Sequence, residues 1–204
     1  MTITPAAARG TRAEATRCAL VSSGRELFGN NGYAGTSVNQ VVRHAGVTKG
    51  ALYHHFKDKD ELFRAVVEEV KLEVTQRAAD AYFAAAEGTD PDRSLRLTCL
   101  ALIDASLDPA VQRIAVLDAR SVLDASHRRH IETRYEVALL RGALRGAMRA
   151  GTVERQPYVT LAHLLSGAIN EACALIADSD DQEAARAEVS GVITRLLDGL
   201  RPSG

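Results

Sequence analysis

Apolar residues recur at helical spacing along most of the chain, and turn residues divide the pattern into segments. Residues 1–11 hold Pro5, Gly10 and little to bury, and read as a disordered arm. A first helix is expected from about Arg12 to Asn30, with Ala15, Cys18, Ala19, Val21, Leu27 and Phe28 on its apolar face. Two short helices follow. In the first, about Ser37 to His44, Val38, Val41, Val42 and Ala45 stand at i, i+3, i+4 and i+7, and Ser37 with Gln40 fits a capping box. Gly46 sits where a helix ends in a left-handed residue. Thr48 caps the second, in which only Leu52 and Phe56 are large and apolar. Asp58 and Glu61 open a long fourth helix that keeps its period from Leu62 through Val74 to Phe83 and breaks at Glu87-Gly88-Thr89. Asp90-Pro91 and Asp108-Pro109 are start signals for two more, the first apolar on nearly all sides and so central, the second covering about 109–121. A helix from about Leu123 to Ala150 stops at Gly151, and Pro157 starts the next.

The last two helices, separated by Asp178-Ser179-Asp180-Asp181, carry broad stripes: Leu161, Leu164, Leu165, Ala168, Ile169, Ala172, Leu175 and Ile176, then Val189, Val192, Ile193, Leu196, Leu197 and Leu200. Two such stripes want more partner surface than one copy readily offers: either they pair with their two-fold copies as a homodimer through a four-helix bundle, or both are used up internally. The fold class is all-α, of about nine helices: a head over 12–60 and a body over 61–204 that would carry the dimerisation surface.

Abundant alanine and scarce proline agree with this class. The net charge of −1 says nothing about partners, but its distribution does. Residues 1–59 hold eight Lys/Arg against three acids, and residues 60–204 hold 17 against 23. A basic head on an acidic body is the footprint of a phosphate-binding unit. Three distant cysteines without a C-x-x-C point to a reducing cytoplasm, and Cys18 reads as a small core residue rather than a redox sensor. No run of 18 apolar residues predicts a membrane span, and the N-terminus lacks the apolar core of a secretory signal.

The stretch 36–59, TSVNQVVRHAGVTKGALYHHFKDK, carries the clearest chemistry. Its second short helix buries one narrow stripe and otherwise offers Lys49, Gly50, Ala51, Tyr53, His54 and His55, a surface suited to a DNA major groove. The A-G-V turn, G-x-L-Y-x-H-F and the following K-x-K-x-x-L resemble the DNA-binding domain of TetR-family transcriptional regulators, a likeness covering roughly residues 12–70. The resemblance implies a sequence-specific regulator, a repressor that dissociates from a palindromic double-stranded operator when the body binds a small effector. Carried over by position, Lys49, Gly50, Ala51 and His54 face base edges; Tyr53, His55 and Lys59 hold phosphates; Thr36, Ser37 and Thr48 cap helices and donate hydroxyls to phosphates. Helix four, shared by head and body, is the expected lever.

Elsewhere the chemistry is sparse. Asp124, His127 and His130 form D-x-x-H-x-x-H at metal-ligand spacing, yet among arginines they read as a surface face. His163 and Asn170 either line an effector cavity or lie on the outer face; Cys99, Arg113 and Asp118 are weaker cavity candidates. The apolar body suggests a mainly hydrophobic effector. No nucleophile elbow, phosphate-binding loop or paired-cysteine metal site supports an enzyme, and no cofactor is implied. The alternative is an all-helical small-molecule-binding or scaffold protein that does not read DNA.

Overall fold

The structure, a computed structural model, describes residues 5–86 and 91–202, with side chains over 12–84 and 93–202. The break expected at Glu87-Gly88-Thr89 and the cap expected at Asp90 lie outside the described residues. Among those residues there is no strand, and there are nine helices if a helix continuing through a π-helical turn counts once. They are α1 (Pro5–Gly35), α2 (Val38–His44), α3 (Lys49–His55), α4 (Lys59–Ala86), α5 (Pro91–Ala105), α6 (109–122), α7 (125–149), α8 (Tyr158–Ala177) and α9 (Gln182–Asp198). α6 is π-helical over Gln112–Asp118 and α7 over Thr133–Val137.

α1 is longer than its apolar stripe. Its first described residue is Pro5, so it runs through part of the segment expected to be a disordered arm, where alanines favour helix. It breaks at Gly32, whose φ of 72° and ψ of 169° no helix contains. Cys18, expected in the core, is exposed.

The head packs α1, α2 and α3 over the start of α4. Leu20, Phe28, Val41, Leu52, Leu62 and Phe63 are completely buried there. Phe28, Phe63 and Tyr33 form one aromatic cluster, with centroids 5.0–5.9 Å apart and edge-on geometry at Phe63. The core continues without a break along α4 into the body through Val66, Val70 and Val74. α5 is central as its composition predicts, with Leu95, Thr98, Cys99, Leu102 and Ile103 buried. α8 is long and apolar enough to cross a membrane by length and composition, but its Leu165, Ile169, Ala172 and Ile176 are buried against the body.

Candidate DNA-binding face and body cavity

The head places α3 on the surface. Leu52 and Phe56 anchor it, the latter beneath the Arg17 guanidinium, 5.4 Å from the ring centroid. Its start is set by Thr48, whose hydroxyl accepts from the Ala51 N–H at 3.2 Å. The turn from α2 uses Gly46 at φ 65° and closes with the Val47 N–H donating to the Val42 carbonyl, 3.0 Å. With those anchors fixed, Lys49, Gly50, Tyr53 and His54 are exposed, and Ala51 and His55 are half-buried. A Cβ added at Gly50 would meet nothing closer than the Thr48 hydroxyl at 3.9 Å, so the outer side of this turn is open to a partner. The Lys49 ammonium lies 5.9 Å from the Tyr53 ring centroid, and the His54 and His55 rings meet edge to face at 5.2 Å. Six of the ten head residues expected at DNA therefore form one continuous patch on α3, with Thr48 at its edge.

The other three are committed inward to different degrees. Ser37 is exposed, but its hydroxyl donates to Gln40 Oε1 at 2.7 Å and accepts from the Gln40 N–H, a complete capping box. Thr36 is only 1% exposed, and its hydroxyl points at the carbonyls of Leu27 and Gly32, 3.0 and 2.9 Å away. Lys59 is half-buried; its ammonium donates to the carbonyls of Tyr33 and Thr36, 3.0 and 3.1 Å, and stands 3.8 Å over the Tyr33 ring. Thr36 and Lys59 are thus held by bonds inside the head. Both bond to carbonyls around the break at Gly32.

Tyr33 is the hub of that junction. Its N–H donates to Asp118 Oδ2 on α6 at 2.7 Å, and its phenol donates to Asp60 at the start of α4. Burial and the neighbouring carboxylates of Asp60 and Asp58 push its ionisation far above the ordinary tyrosine range.

The body holds a cavity of about 210 Å³ between α4, α6, α7 and α8. Its apolar wall is Val67, Ala115, Val116, Ala119, Leu123 and Ile131. At its base lies a buried polar network. The Lys71 ammonium donates to Glu136 Oε1 at 2.5 Å and to Asn170 Oδ1 at 3.0 Å, and Glu136 Oε2 accepts from Asn170 Nδ2 at 2.9 Å and the Ser166 hydroxyl at 3.2 Å. Burial by itself would pull the Lys71 pKa down, but the Glu136 charge and hydrogen bond outweigh it and hold it above the usual lysine value. Glu132, Arg128, Arg120 and Glu171 complete the rim, with Arg120 and Glu171 paired at 3.3 Å. Glu132 is half-buried; burial first, then the Glu136 charge, raises its pKa.

Of the four body residues expected to line a cavity, Asn170 does. Cys99 is sealed in the core of α5, where burial pushes its thiol up to about 12. His163 shares a helical sector with Asn170 but lies two turns nearer the start of α8, exposed and beyond the cavity. Arg113 turns toward the head, where its side chain would be 3.7 Å from a Cβ at Gly32, and Asp118 holds Tyr33. Sequence reasoning missed Lys71, Glu132 and Glu136. The signals were present: Lys71 shares the stripe of Val67 and Val74, and Glu136 that of Leu140 and Ala143, so each puts a charge where the pattern demands an apolar group. Asp124 caps α7, accepting from the N–H groups of Ser126 and His127 at 2.9 Å, while His130 is exposed. Hydrogen bonds from the Ser126 hydroxyl and His127 hold its carboxyl well below the usual range.

An exposed recognition-type helix on a compact helix-turn-helix head, joined by one long helix to an all-helical body, defines the class of helix-turn-helix regulators. Residues 20–66 match the family model of bacterial regulatory proteins, tetR family, and residues 93–200 match that of the tetracyclin repressor-like C-terminal domain. The chain belongs to the tetR family. It is 43% identical over 63 residues to the HTH-type transcriptional regulator AcrR of Shigella flexneri, a match spanning 30% of this chain and only 29% of that protein. With the HTH-type transcriptional repressor AcnR of Corynebacterium efficiens the identity is 28% over 168 residues, 80% of this chain and 85% of the relative. The crystal structure of a TetR-family transcriptional regulator from Pectobacterium atrosepticum superposes with a TM-score of 0.80 at 33% identity, covering 95% of this chain and 97% of that one.

Proposed function

We propose that this chain is a homodimeric repressor that binds a palindromic operator in the cytoplasm and leaves it when a small effector occupies the body cavity. The observation that carries the reading is the α3 patch: exposed Lys49, Gly50, Tyr53 and His54 on a helix pinned from behind by Leu52 and Phe56. A lysine and small side chains at the start of an exposed helix suit base edges, Lys49 toward guanine O6 and N7 and the Ala51 methyl toward a thymine methyl. Two heads reading one duplex must place these helices about 34–36 Å apart, or a multiple of that.

The dimer reading rests on apolar side chains that the single chain leaves uncovered. Leu164 and Leu175 of α8 are 67% and 57% exposed, and Leu196 of α9 is 53% exposed, while their neighbours Leu165, Ile176 and Leu197 are buried. Each terminal helix thus carries an inner and an outer apolar side. The outer side suits the same helices of a second copy across a two-fold axis.

The test is fluorescence anisotropy on the chain's own promoter DNA and on random DNA across a salt series. Specific binding with a steep salt slope is expected. Lys49→Ala should weaken promoter binding by about 1–3 kcal/mol and random binding far less. Equal affinity for both DNAs in the native chain refutes sequence reading, and equal losses in the variant remove Lys49 from it.

A further inference from the structure

Lys71, Arg120 and Arg128 line the cavity opposite Glu132 and Glu171, and the charges cancel once Glu136, buried behind Lys71, is counted. Lys71 is offset by Glu136 and Arg120 by Glu171. Arg128 spends Nη1 on the carbonyls of Leu123 and Arg120, at 2.5 and 3.2 Å. Glu132 is different. Among the described residues it has neither a hydrogen bond nor an ion pair, although it is half-buried against this cavity. One of the three Lys71 protons is likewise left over after Glu136 and Asn170. Both line the cavity, and Glu132 stands about one helical turn before Glu136, whose carboxylate holds Lys71.

The unmet demand of the site is therefore a donor for Glu132 and a lone pair for Lys71, and a hydroxyl supplies both from one oxygen. A carboxylate offers lone pairs only, and it brings a third negative charge beside Glu132 and Glu136. An ammonium meets Lys71 and Arg128, and no aromatic ring lines the cavity to receive it. The remaining wall is aliphatic. An apolar cavity of about 150 Å³ takes a benzene ring, so 210 Å³ has room for one ring with a small substituent.

Taking the cavity as the effector site, we propose that the effector is a small uncharged molecule, apolar except for a hydroxyl that donates to Glu132 and accepts from Lys71. The two π-helical stretches lie where this ligand would press: Ala115 and Val116 belong to the first, and the second begins beside Glu132.

The experiment uses the purified full chain and four ring probes of similar size: phenol, toluene, benzoate and benzylamine. Binding is measured by ligand-observed NMR titration in the native chain, Glu132→Gln and Glu132→Ala, with thermal unfolding to confirm that each variant is folded. Phenol should bind at least about tenfold more tightly than toluene, because only it satisfies the two polar groups, and more tightly than either ion. Glu132→Ala should erase the preference for phenol over toluene, and Glu132→Gln, which keeps an acceptor oxygen, should retain part of it. Benzoate or benzylamine binding as tightly as phenol, an undiminished preference in Glu132→Ala, or no binding by any probe overturns the proposed ligand class. Operator affinity is read in the same samples. Phenol that binds as described without changing that affinity leaves the ligand class standing and refutes the effector role.

Discussion

Lys71 and Glu136 can be separated from every other determinant of the fold by a double-mutant cycle. Their side chains are 8% and 3% exposed, and they meet at 2.5 Å with Asn170 and Ser166 as further partners. Removing one member of such a pair strands the other charge in the interior, which costs about 3–5 kcal/mol. Lys71→Met should fall within that range. Glu136→Leu should fall at its upper end, since it also leaves the Ser166 hydroxyl without its acceptor. Lys71→Met/Glu136→Leu strands no charge. It leaves the Ser166 hydroxyl without its acceptor, at about 1 kcal/mol, while Asn170 lines the cavity and can reach water. The double variant should lie within about 2 kcal/mol of the native chain, giving a coupling energy of about 3 kcal/mol or more. Urea unfolding at one fixed protein concentration measures this, since the stability of any self-associating chain depends on concentration. The sign of the pH dependence follows from Lys71, whose folded pKa lies above its ordinary 10.5. The pair's contribution is full below that value and is lost as pH rises through the folded pKa. Single variants costing less than about 1 kcal/mol, or a double variant equal to their sum, would refute the account of the pair as a buried, mutually dependent unit.

Three further outcomes follow from the geometry. Leu164→Glu sets a charge on the exposed side of α8 and should yield a folded monomer in light scattering at micromolar concentration; a persistent dimer places the interface elsewhere. Glu132 has a folded pKa above its ordinary 4.5, so it contributes most stability below pH 4.5 and loses that contribution as pH rises through the folded value; Lys71, Arg128, Arg129 and Glu136 are the charges acting on it. Unfolding midpoints of Glu132→Gln should lack this slope, and parallel profiles for the two proteins would show that the carboxyl does not titrate there. Asp118→Ala removes the acceptor of the Tyr33 N–H, so that amide should exchange faster by about tenfold while core amides of α5 keep their protection, and unchanged exchange at Tyr33 would break the inferred link.

The head was legible because its signals are local. Capping at Ser37 and Thr48, the glycine turn at Gly46 and the pair Leu52 and Phe56 all act within one or two turns of chain. Thr36 and Lys59 have side chains that suit phosphates; that they also bond carbonyls around the break at Gly32 depends on partners several residues away or more, which a helical pattern does not name. The body's outline was legible from the same kind of signal, through Asp108-Pro109 and Gly151 and the stripes of α8 and α9. Its polar network was not, because Lys71 meets residues 65 and 99 positions away. Periodicity marks the wrong residue in an apolar stripe without naming its partner. The π-helical stretches were equally hidden, since each shifts the register inside a helix whose ends are unchanged.

Head and body are joined by more than α4. α4 does run through both, but α6 makes a second connection. Gly29 of α1 lies against Ala110 so closely that an added Cβ would stand 2.8 Å from the Ala110 methyl, a separation that leaves no room for any side chain. Two turns along, Asp118 of the same helix holds the Tyr33 N–H. Between these two contacts lie Ala115 and Val116, which face the cavity. The cavity wall and the anchor of the recognition unit are therefore the same short helix, gripped at both ends by α1. Tyr33 then passes the constraint on in three directions, through its carbonyl to Lys59, through its phenol to Asp60 and through its ring to Phe28 and Phe63. A displacement of α6 cannot be absorbed at Gly29, where the packing is already at contact. It has to appear either in the π-helical turn or in the position of α2 and α3, so the placement of the looser hydrogen-bond register between the two grips bears directly on how a change in the cavity reaches the DNA-binding face.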